Sequence, residues 1–155
     1  MQTIFEAARE GNTDSLKSLI TQDKKLLDSS DERGFTPLIL AVYNHQEEAS
    51  KVLLDAGASV DARDAAGNTA LMGAAVKRDL THIQLLLAHG ADVNARSNSQ
   101  ATALCFACAY ATPDVVKVLL RAGADPQLKD ADGLNAMGHA RKMGNRPVME
   151  FLMTL

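Results

Sequence analysis

Gly57-Ala58-Ser59-Val60-Asp61-Ala62 returns as Gly90-Ala91-Asp92-Val93-Asn94-Ala95 and again, more loosely, as Gly123-Ala124-Asp125-Pro126-Gln127. The step is 33 residues each time, from 57 to 90 and from 90 to 123. Thr36, Thr69 and Thr102 keep it, with Asn135 one period on. Asp31, Asp64 and Asp130 keep it too, with Ser97 in the remaining slot. A fixed period of this length marks a stacked array of helical units, because the apolar face of one unit is too wide to bury alone.

Each period reads as one folding instruction. Asp31-Glu32-Arg33-Gly34 and Asp64-Ala65-Ala66-Gly67 place Asp first and Gly fourth, the preferences of a type I turn. Thr36 stands where a helix N-cap belongs, and Pro37 takes the first helical position. Leu38, Ala41 and Val42 recur as Leu71, Ala74 and Ala75, then as Leu104, Ala107 and Cys108, so a short first helix carries small contact residues. Second helices are expected over Glu47–Ala56, Leu80–His89 and Pro113–Ala122, each closed by Gly57, Gly90 or Gly123 in a left-handed position.

The pattern predicts an all-α solenoid of helix-turn-helix units with projecting β-turn loops, forming a single domain over residues 1–155. Internal repeats fall at 31–63, 64–96 and 97–129. Residues 1–30 keep two helices but lose the turn, and Ser15 and Ser18 enter positions that are mostly apolar elsewhere, as a solvent-facing N-terminal capping unit requires. Residues 130–155 read as the C-terminal capping unit, where Arg141 replaces a small apolar residue.

The composition suits such a stack. Hydrophobic residues make up 46% of the 155, but aromatics only 4% with no Trp, so the core must be built from Ala, Leu, Val and Met. A net charge of -3 gives no general attraction to nucleic acid or to an anionic membrane. The longest apolar runs are too short to span a bilayer, and the first ten residues lack a basic region followed by an apolar one. Cys105 and Cys108 are the only cysteines, too few for a disulfide framework. A cytoplasmic setting is expected, with a monomer the leading expectation.

Asp-x-x-Gly-x-Thr-Pro-Leu at Asp31–Leu38, with the Leu-Leu-x-x-Gly-Ala-x-Val endings, resembles the ankyrin repeat over essentially the whole chain. Stand-alone chains of this size are similar to small bacterial members of that family. Three departures stand out. The family's His after Thr-Pro-Leu is replaced by Ile39, Met72, Cys105 and Gly138, and its Pro by Ala70, Ala103 and Ala136. The turn Ser97-Asn98-Ser99-Gln100 has lost both Asp and Gly, which weakens its local preference.

The resemblance implies an adaptor or inhibitor that binds a protein partner through a concave face of turn tips and first helices. On those positions stand Arg33, Phe35, Tyr43, Asn44, Asn68, Lys77, Arg78, Ser99, Tyr110, Asp132 and Leu134. Both tyrosines of the chain are in this set, and the repeat's own packing requires no aromatic there. Binding energy concentrates in such aromatic and Arg anchors. The alternative is self-association, as a homodimer or scaffold, through Val148, Met149, Phe151, Leu152 and Met153, an apolar edge at the C-terminal face.

Catalytic, cofactor and metal sites are not expected. Cys105-Phe106-Ala107-Cys108 has C-x-x-C spacing, but a zinc site needs further soft ligands, and Cys108 stands in a small apolar packing slot. That pair is the only opening for a metal or thiol site. His82 and His139 take slots that are apolar in other units, so each reads as a hydrogen-bonded packing histidine. Asp130-Ala131-Asp132-Gly133 begins like a calcium loop but lacks the closing Glu, and turn chemistry explains it.

Overall fold

A computed structural model describes residues 1–155. Ten α-helices follow one another: α1 (Ile4–Glu10), α2 (Thr13–Gln22), α3 (Pro37–Tyr43), α4 (Glu47–Asp55), α5 (Ala70–Val76), α6 (Leu80–Ala88), α7 (Ala103–Tyr110), α8 (Pro113–Arg121), α9 (Ala136–Lys142) and α10 (Arg146–Met153). A short 3-10 helix, Lys24–Asp28, follows α2 and was not signalled by the repeat pattern. The fold is all-helical, as the period predicts. The second helices α4, α6 and α8 stop one residue short of the expectation, because Ala56, His89 and Ala122 serve as C-caps.

The caps form as the residue types dictate. Thr36, Thr69 and Thr102 accept from the backbone N–H of Ile39, Met72 and Cys105, and Asn135 accepts from Gly138. In the turns, Asp31 Oδ1 accepts from the N–H of Arg33 and Phe35, Asp64 Oδ1 from Ala66 and Asn68, and Asp130 Oδ1 from Asp132 and Leu134. One carboxylate thereby closes two otherwise orphaned donors. The third turn in chain order keeps this architecture without the Asp: Ser97 Oγ accepts from Ala101 N–H at 3.3 Å and pairs with Ser99 Oγ at 2.9 Å.

The units stack through their first helices, α1 on α3, α3 on α5, α5 on α7 and α7 on α9. Ala8, Ala41, Ala74, Ala107 and Ala140, one in each of these helices at the 33-residue step, are each 0% exposed. A methyl side chain lets two helix backbones approach closely. The second helices meet less extensively, so the stack closes more tightly on the first-helix side. A second ladder ties the loops together. Asp28 accepts from Ser59 N–H, Asp61 from Asp92 N–H and Asn94 from Asp125 N–H, at 2.8, 3.0 and 2.9 Å. Leu53, Ile83, Leu86, Val116 and Leu119 fill the space between helix layers, each 0% exposed.

The turns also stack, which explains their glycines twice over. Gly34 and Gly67 have φ of 80° and 77°, and a Cβ on either would lie 2.7 Å from the backbone nitrogen of Ala65 or Asn98 in the next turn. Gln100 holds the same slot at φ 65° with a side chain attached. A left-handed conformation costs a non-glycine residue ~1 kcal/mol or more. Gln100→Gly is therefore expected to stabilise the protein by about 1 kcal/mol, raising Tm by roughly 2–4 °C. Thermal unfolding followed by circular dichroism checks it, and an unchanged or lower Tm contradicts the strain.

Candidate functional site

The turns and first helices together form one face carrying a row of hollows. The first is lined by Phe5, Arg9, Glu32, Arg33, Phe35 and Tyr43. The second lies between Tyr43, Asn68, Met72, Gly73, Val76 and Phe106, and a third between Phe106, Tyr110, His139, Lys142 and Met143. Tyr43 borders the first two and Phe106 the last two, so the hollows share walls. Phe106 was not among the sequence candidates. It occupies the slot of Leu40, Gly73 and His139, read from the period as packing, yet it is only half-buried and faces the row.

Tyr43 is 39% exposed, and the cause lies one unit away. Its ring lies over Gly73, where an added Cβ would stand 2.7 Å from Tyr43 Cε1. Lys77 Nζ caps the same ring at 5.2 Å from its centre, a cation–π contact. The ring is thus held in place rather than free. Tyr110 is 45% exposed, and its backbone carbonyl accepts from Arg78 Nε at 3.0 Å. Arg78 has φ 58° and His45 has φ 56°, in the linker between the two helices of a unit. Each of these strained residues sends its side chain across to the following unit, Arg78 to Tyr110 and His45 to Asp79.

The other candidates fall into two groups. Arg33, Asn44, Ser99 and Asp132 are exposed, although Ser99 is tied to Ser97. Phe35, Asn68 and Leu134 are half-buried; Phe35 packs against the core, and Leu134 lies against Gly138. Ala101 and Ala109, which line the third hollow, are buried. On the C-terminal edge Val148 is fully buried and Met149, Phe151 and Leu152 are half-buried, with Lys117 Nζ 5.8 Å from the Phe151 ring centre. Only Met153 and Leu155 of that edge are strongly exposed.

Other polar residues form a chain between units, buried except at the exposed His45. His45 Nδ1 and His82 Nδ1 both donate to Asp79 Oδ2 at 2.7 Å, and His82 Nε2 meets Ser50 Oγ at 2.9 Å. A carboxylate accepts only, so each Nδ1 carries its proton. Ser50, His82 and Asp79 thus stand in the order of a nucleophile, base and orienting acid. Ser50 is 0% and His82 1% exposed, however, and a nucleophile in that position reaches no substrate. The chain is a strut. Burial alone would raise the Asp79 carboxyl, but hydrogen bonds from His45 and from the backbone and ring of His82 outweigh it and hold it below 3.8. His139 Nε2 donates to Asp130 Oδ2 at 2.7 Å in the same manner. Burial would raise Asp130 too; the Leu134 N–H, His139 and the Asp132 N–H bring it below its ordinary value.

Both cysteines are buried and unpaired. Burial, and then the neighbouring Cys105, push the Cys108 thiol up to about 12, so it stays protonated at neutral pH and is a poor nucleophile or metal ligand. No group of three or more His, Cys, Asp or Glu is placed to hold a metal ion, and no helix is long and apolar enough to cross a membrane.

The strut has a pH signature. Because folding lowers the Asp79 carboxyl, its stabilisation is complete above about pH 4 and lost as pH falls through the lower folded value. Asp79→Asn is expected to cost roughly 1.5–3 kcal/mol at pH 7, the range for hydrogen bonds to a charged group. The gap between variant and wild type should narrow as pH falls below 3.8. Urea unfolding at several pH values measures it; a gap that persists at low pH contradicts the assignment.

Comparison with known proteins agrees with this architecture. The family model for ankyrin repeats in three copies matches residues 4–97, and the model for ankyrin repeats in many copies matches residues 86–140. A curated relative, the palmitoyltransferase akr1 of Schizosaccharomyces pombe, is 39% identical over 61 residues, which are 39% of this chain and 10% of that protein. The chain therefore spans about a tenth of that relative's length, and its transferase name describes that protein alone. Ankyrin repeats mediate protein–protein interaction and are non-catalytic modules. With the matched models covering helix caps, turns and stacked units alike, the chain belongs to the ankyrin repeat family.

Proposed function

We propose that this protein is an adaptor or inhibitor that binds a protein partner through the face of turn tips and first helices. One observation carries the reading. Both tyrosines of the chain stand exposed on that face, at 39% and 45%, beside hollows that share the Phe106 wall. Tyr43 is already fixed by Gly73 and Lys77, so little rotamer freedom is lost on binding. Arg33, Asn44, Lys77, Arg78, Ser99 and Asp132 supply an exposed polar surround. Phe35, Asn68 and Leu134 contribute as half-buried walls.

A monomer in a reducing, cytoplasmic setting is part of this reading. Two buried, unpaired thiols support the setting, and the small exposed remainder of the C-terminal edge, Met153 and Leu155, supports the monomer.

Aromatic anchors at an interface contribute ~2 kcal/mol or more each. Tyr43→Ala combined with Tyr110→Ala is expected to weaken partner binding at least thirty-fold while the far-UV circular dichroism spectrum stays that of a folded helical protein. Pull-down from native lysate with wild type and double variant side by side gives the answer. If the folded double variant captures every partner that wild type captures, the face is wrongly assigned.

A further inference from the structure

The charge on this face narrows the partner. Residues 37–46, 70–78, 103–112 and 136–144 comprise helices α3, α5, α7 and α9 with the residues that follow them. They contain no Asp or Glu, in a chain that has 19 of them and a net charge of -3. They do contain Lys77, Arg78, Arg141 and Lys142, all exposed. None of these four makes an ion pair, whereas the second-helix cations Lys51 and Arg146 pair with acids of their own helices, Glu47, Glu48 and Glu150. Lys17, Lys117 and Arg121 of the outer helices make no ion pair either, so what sets the inner row apart is that no Asp or Glu stands on the same helices as its cations.

Helix C-termini favour cations in general. That preference alone does not explain the pattern, because α3 and α7 also end on this face, one at Asn44 and the other at the extended Ala111, and neither carries a basic residue in its last turn. Read along the stack, the row alternates: Tyr43, then Lys77-Arg78, then Tyr110, then Arg141-Lys142-Met143. Acids elsewhere on the face include the turn residues Asp31 and Asp64, half-buried at the first two hollows with their carboxylates bonded to turn N–H groups, the turn tips Glu32 and Asp132, and Glu6 and Glu10 of α1.

We propose that this row of alternating tyrosines and unpaired cations takes an extended, acidic segment of a protein partner, apolar side chains on the tyrosines and carboxylates on the two basic clusters. The proposal rests on the reading of this face as the partner site and deepens it. Packed helices lie ~8–10 Å apart, and an extended chain advances ~3.3–3.6 Å per residue, so the segment moves about three residues per unit. The two basic clusters are two units apart. The carboxylates should therefore lie about six positions apart, with an apolar residue midway over Tyr110 and another about three positions beyond, over Tyr43.

The test is selection of random fifteen-residue peptides displayed on phage against the folded protein. The expected binders carry Asp or Glu about six positions apart with an apolar residue between them. The best synthetic peptide should bind at least ten-fold more weakly to the Lys77→Glu, Lys142→Glu variant, and a copy with its acids changed to Lys should recover binding to that variant. Binders that are neutral or basic, yet lost on Tyr43→Ala with Tyr110→Ala, overturn the acidic segment and leave the face standing. Binders indifferent to all four substitutions, or no binders at all, overturn the face itself. A single-stranded oligonucleotide that outcompetes the best peptide overturns the proposal in favour of nucleic acid.

Discussion

Five alanines, at 8, 41, 74, 107 and 140, hold the molecule together at its most constrained points. Each is 0% exposed, and each belongs to one of the first helices that stack on one another. A larger side chain would push the backbones apart by a distance that repeats through every junction. Because α1, α3, α5, α7 and α9 pack more extensively on one another than the second helices do, the first helices are the close-packed side of the stack. Their outward positions, where Tyr43, Lys77, Tyr110 and Lys142 stand, are therefore brought within reach of one bound segment.

Around that contact the units are joined by polar groups as much as by apolar ones. Gln46 donates to the carbonyl of Arg9, and Asn145 donates to those of Cys108 and Ala111. Asp79 gathers His45 and His82. These residues sit at or beside the start of a second helix and reach back to the preceding unit, so each fixes a helix terminus and a unit junction at once. No buried side-chain nitrogen or oxygen is left without a partner, which is what a low-dielectric junction requires. The left-handed His45 and Arg78 fit the same picture, since strain in the linker is offset by a bond to the next unit.

Most of this architecture was legible because it is periodic. Caps at Thr36, Thr69, Thr102 and Asn135 formed as their types dictate, and Ser97 shows that a turn survives the loss of its Asp when another side-chain oxygen takes the same N–H. Period alone says which residues share a slot but not what lies across the junction. Tyr43 is held because Gly73, one unit on, has no side chain, and Phe106 opens onto the hollows because its neighbours in the row are a glycine and a histidine. Phe35 went the other way, half-buried against core residues that the repeat register does not specify.

Close approach of the first helices, permitted by the buried alanines, governs the whole stack. Ala74→Leu inserts three carbons on α5, the middle of the five first helices, where the residue is 0% exposed. Urea unfolding of this variant tests the claim most directly: the account predicts a loss of roughly 1–3 kcal/mol, the usual cost of overpacking a filled core. A midpoint equal to that of the wild-type protein would contradict it, since helices that accept a leucine there are not held at the distance the alanines require.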